Sequence, residues 1–63
     1  MNDKELITRI KIYKAMGFIK NYYELAGIIG LTERSFYNWL GGHYTLSYQK
    51  KQILNNLMKE HGI

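Results

Sequence analysis

The amino-acid sequence predicts an all-α domain, a compact bundle of four short helices. Three observations predict it. Apolar residues recur at helical spacing in four separate stretches, glycines fall where those stretches would end, and no run alternates long enough to make a paired strand. Tyr44 to Tyr48 alternates weakly but is short and lacks a partner. With 63 residues the chain is expected to be one domain, a size that buries only about 60% of its unfolded surface. A hydrophobic content of 46% argues for a packed core over disorder, and with no cysteine neither a disulfide nor a Cys-based zinc site can staple it.

The elements follow in order. Asn2 with Glu5 has the spacing of a capping box, opening a helix over about residues 3–16. Its apolar face is Leu6, Ile10 and Tyr13, with Ile7 and Met16 beside them, and Gly17 is its stop. Phe18 and Ile19 in the following link are expected to fold over the core. Asn21 with Glu24 repeats the box spacing and opens a helix over about residues 22–29, with Leu25, Ile28 and Ile29 as its stripe and Gly30 as its end. Thr32 caps a third helix, about residues 33–40, its hydroxyl accepting from the amide of Arg34 or Ser35. Phe36, Trp39 and Leu40 share one face of it; Glu33, Arg34, Tyr37 and Asn38 face away. Gly41-Gly42 stops it. After a loop from His43 to Leu46, Thr45 or Ser47 caps a last helix over about residues 47–60, striped by Ile53, Leu54, Leu57 and Met58.

Nine Lys or Arg against five Asp or Glu give a net charge of +4 and a pI of about 9.5. Such a chain suits a polyanionic partner, without choosing nucleic acid over an anionic membrane. Asp3, Glu5 and Glu60 lie near the ends, whereas Lys11, Lys14, Lys20, Arg34, Lys50 and Lys51 lie closer to the centre, where Glu24 and Glu33 are the acidic exceptions. No segment is long and apolar enough to span a bilayer, and the polar start is unlike a signal peptide, so a cytoplasmic protein is expected. His43 and His61 have no Cys, Asp or Glu at ligand spacing, and no nucleophile has a base and an orienting group. No metal, cofactor, small-molecule ligand or catalytic residue is therefore expected.

The centre of the chain is more specific. Ala26 lets two helices cross closely, Gly30 tolerates the positive φ of a tight bend, and Leu25, Ile29, Leu31, Phe36 and Trp39 close the inside of the elbow. That is the outline of a helix-turn-helix, in which a helix too short to persist alone is held rigidly with its polar face outward. Phe36 and Trp39 read as core rather than as stacking platforms. Most of the six tyrosines read as half-buried rings with wet hydroxyls, Tyr37 being the functional exception.

The stretch from Tyr23 to Gly42 resembles the helix-turn-helix of the phage Cro and repressor family. The matching pattern is Glu24-Leu25-Ala26, then Gly30, apolar Leu31, Thr32, hydrophobic Phe36, and Trp39 close to a terminal glycine. The flanking helices fit the family's lambda-repressor-like domain in number and length. The resemblance implies that the helix over residues 33–40 enters the DNA major groove. Glu33 and Arg34 would reach base edges first, with Tyr37 and Asn38 a turn later. Arg34 suits guanine, Asn38 adenine, and Glu33 would accept from cytosine or repel wrong sites. Thr32 would touch a phosphate or cap its helix, with Ser35 beside it. Asn21 and Tyr22 would hold one phosphate, and His43, Tyr44 and Thr45 the neighbouring ones. The chain departs from the family at Tyr22, where Gln is frequent, and in the loop after the third helix, where Lys or Arg is usual. Lys20, Lys50 and Lys51 are expected to compensate.

The function implied is a sequence-specific double-stranded DNA-binding transcription regulator, phage- or mobile-element-encoded, acting as a homodimer on an inverted-repeat operator. Leu57, Met58 and Ile63 are the expected self-association surface. A competing expectation is a mobile-element protein that uses the same scaffold to bind and inhibit or redirect a host protein. A basic rim around the third helix favours DNA; a neutral aromatic patch there favours protein.

Overall fold

A computed structural model describes residues 2–63, and among them forms four helices and no strand: α1 (Asp3–Ala15), α2 (Tyr23–Ile28), α3 (Glu33–Leu40) and α4 (Tyr48–Glu60). Each boundary falls within one residue of the sequence expectation. Three of the four starts carry a side-chain cap. Asn2 Oδ1 accepts from the Lys4 amide at 2.8 Å, Thr32 Oγ1 from the Ser35 amide at 3.1 Å, and Ser47 Oγ from the Lys50 amide at 3.3 Å. Neither expected capping box forms. Asn2 and Asn21 each bond the amide two residues on, closing an Asx turn instead of reaching the third helical residue. Glu24 Oε2 takes the Lys20 amide at 3.3 Å, one residue upstream of the box position.

All four helices end on a glycine with φ between +73° and +88°: Gly17, Gly30, Gly42 and Gly62. The bend between α2 and α3 shows how. Gly30, at φ +74°, donates to Gly27 O at 3.3 Å while the Leu31 amide donates to Ala26 O at 2.8 Å. These paired bonds satisfy the last carbonyls of α2 and turn the chain at once into α3.

The core gathers Leu6, Ile10 and Tyr13 from α1, Leu25, Ala26 and Ile29 from α2 and its cap, Phe36 and Trp39 from α3, and Leu54 and Met58 from α4. Leu46, expected only in a loop, is buried with them. Ile28, Ile53 and Met16, placed on or beside apolar stripes by the sequence, are exposed instead. For Ile53 the cause is visible. The buried face of α4 is Leu54, Asn55 and Met58, rotated toward Asn55 because Arg9 of α1 donates to Asn55 Oδ1. The same guanidinium donates through Nε to the Ile63 carbonyl at 3.0 Å, tying the end of the chain to α1. Met58 is fully buried in its own core, so it cannot serve the expected self-association surface. Ile19 packs on the core as expected, whereas Phe18 stays part-exposed and stacks on Tyr13 at 5.0 Å.

At the other end of α1, Asp3 joins three helices. Its Oδ1 pairs with Lys51 Nζ of α4 at 2.9 Å, and its Oδ2 accepts from the Trp39 indole of α3 at 3.3 Å.

Candidate nucleic-acid interface

The outward face of α3 is set by what its inward face must bury. Phe36 and Trp39 are 0% and 1% exposed. With 3.6 residues per turn, that leaves positions 34, 37 and 38 together on the opposite side. Arg34, Tyr37 and Asn38 are indeed exposed, Tyr37 at 49%. Glu33 and Ser35, at the edges of that face, are half-buried. Thr32 is exposed and acts as the cap, and its hydroxyl also donates to Ser35 Oγ at 3.0 Å, so both groups bond each other locally.

Beside Tyr37 lies an aromatic cluster. The half-buried Tyr22 ring stacks on Phe36 at 5.7 Å and 30°. Tyr37 meets Tyr22 nearly perpendicularly, at 5.5 Å and 84°. The Lys14 ammonium sits 5.4 Å from the Tyr22 centroid, within cation–π range. Burial pushes the Tyr22 hydroxyl above its ordinary pKa of 10.0, and the neighbouring Tyr37 adds to the shift.

Lys20 and Asn21 are exposed before α2, with Asn21 Oδ1 engaged by the Tyr23 amide. His43, Tyr44 and Thr45 are exposed in the loop after α3, which the His43 amide fastens to Asn38 O at 2.7 Å. Two lysines expected to supply backbone charge are engaged within the fold. Lys50 Nζ donates to Ile29 O at 3.0 Å, at the carbonyl end of α2 where cations are favoured. Lys51 is engaged with Asp3.

The charge that lies alongside α3 comes instead from α1. An open groove of about 450 Å³ is lined by Asp3, Lys4, Ile7, Thr8 and Lys11 on one side and by Leu40, Gly41 and Gly42 on the other, the Asp3 carboxylate being paired with Lys51. It brings two exposed lysines to the C-terminal end of α3, as Lys14 stands near Tyr22 further along α1. The available signal was the seven-residue spacing from Lys4 to Lys11, which returns to the same side of a helix.

Among the described residues no group of three or more His, Cys, Asp or Glu is placed to hold a metal ion, and no helix is long and apolar enough to cross a membrane. No family model, no curated protein and no solved structure matches the chain.

Proposed function

We propose that the chain is a sequence-specific double-stranded DNA-binding protein in which α2 and α3 act as a helix-turn-helix and α3 enters the major groove. The observation that carries this reading is the division of α3: Arg34, Tyr37 and Asn38 exposed on one side, Phe36 and Trp39 wholly buried on the other. A polar helix face anchored so firmly needs little reordering to meet base edges. Arg34 is the candidate for a bidentate contact to guanine and Asn38 for adenine. Lys4 and Lys11 beside the C-terminal end of α3 and Lys14 near Tyr22, with the exposed Lys20, would neutralise flanking phosphates in this reading.

A single copy offers a small interface, so binding as a pair on an inverted repeat, with repression by exclusion, completes the reading. The longest dimension is 26 Å. That is shorter than the roughly 34 Å helical repeat, so two copies fit on successive turns of one duplex face.

Selection of bound duplexes from a random pool is the direct test, with enrichment of a palindrome expected. At the enriched site Arg34→Ala should cost about 1–3 kcal/mol and relax one base preference. Affinity should also fall steeply with salt, by about 0.9 log units per neutralised phosphate for each decade. A pool that returns no enriched sequence, or a flat salt response, overturns the proposal in favour of a protein partner.

A further inference from the structure

We infer that Tyr22 is a positioning residue for Tyr37, and that Tyr37, so held, reads the 5-methyl group of a thymine. The inference rests on the DNA reading above and adds to it a base class and a residue that acts through another.

Tyr37 is half-exposed in the middle of the displayed face of α3, one turn beyond Arg34. An exposed tyrosine on a helix ordinarily samples more than one rotamer, and fixing it on binding costs affinity. Here one side of the ring is already engaged. Tyr22 meets it nearly perpendicularly at 5.5 Å, within the range favoured for edge-to-face aromatic pairs. Tyr22 is itself fixed by stacking on the fully buried Phe36 and by Lys14 over its ring. The cluster thus links the core, through Phe36 and Tyr22, to a ring on the surface. An aromatic ring held in that way offers an apolar contact, and the thymine methyl is the one apolar group that the major groove presents. The helix entry position taken by Tyr22 is therefore not spent on phosphate alone. Its half-burial and raised hydroxyl pKa accord with a ring committed inward.

The test replaces each thymine of the selected duplex by uracil, which removes only the methyl group. Wild type should lose affinity at one position, and Tyr37→Ala should bind both duplexes alike. Tyr22→Leu should weaken binding about three- to tenfold and erase the same discrimination, with Tyr22→Phe, which keeps the ring, restoring it. The Tyr22→Leu and Tyr37→Ala effects on the thymine-to-uracil ratio should not add. Because Tyr22→Leu also strips a core neighbour, cross-relaxation between the two tyrosine rings is measured in the free wild-type protein, where it should be strong. A wild type that binds a selected site with no thymine preference, additive effects, or rings with no cross-relaxation each overturn the positioning role while leaving DNA binding intact. A wild type that selects no duplex removes both together.

Discussion

Asp3 shows how much one side chain can hold in a small domain. It is the first residue of α1, and its carboxylate meets an ammonium from α4 and an indole from α3. The Lys51 contact, helped by the Trp39 hydrogen bond and opposed by partial burial, lowers the Asp3 pKa below its ordinary 3.8. A carboxylate with a depressed folded pKa stabilises the fold above its unfolded pKa, and that stability disappears as pH falls through the folded value. With Asp3 43% exposed, the pair contributes at most about 1 kcal/mol after screening. Asp3→Asn, which retains an acceptor for the indole, should therefore melt slightly below wild type at neutral pH. The gap should close in acid, as pH falls through the lowered folded pKa and the wild-type carboxylate takes up its proton. A constant gap across the titration would assign the loss to packing rather than to charge.

Elements were legible in the sequence wherever one signal decided them. The spacing of Phe36 and Trp39 fixed the inward face of α3, and hence which residues it displays, because apolar burial dominates a helix of that length. Gly30 marked the bend because few other residues accept its backbone angle. On α4, Leu54, Leu57 and Met58 meet the core as the pattern predicts and only Ile53 does not, because the inward face also takes in Asn55, a polar residue bonded by Arg9 that hydrophobicity patterns cannot show. The partners of two lysines were hidden for a related reason. Nothing in the order of residues shows that Lys50 reaches the end of α2 or that Lys51 reaches Asp3. These two placements make a contrast that can be measured. Lys50→Met should lower stability by about 1 kcal/mol through the lost bond to Ile29 O, yet leave the salt dependence of DNA binding as in wild type. Lys14→Met should reduce that slope by about one phosphate. Equal changes in slope would return Lys50 to the binding surface.

For the molecule as a whole, a chain of this length has little stability to lose. A domain of 63 residues is expected to be stable by only about 3–9 kcal/mol. Removing a fully buried large aromatic costs about 3–5 kcal/mol. Trp39→Ala should accordingly leave much of the population unfolded at 37 °C, seen as loss of helical circular dichroism; a cooperative melt near that of wild type would contradict the burial of the indole.

The burial of Trp39, the chain's one tryptophan, has an optical consequence. Its indole faces away from the displayed side of α3 and bonds the carboxylate where three helices meet. Its fluorescence therefore reports on the junction rather than on anything that docks outside. Emission should be blue-shifted and hard to quench with iodide, and should change in acid as Asp3 takes up its proton. A ligand that altered the spectrum at neutral pH would have moved the interior, and one that bound without altering it would have met a surface already in its final shape.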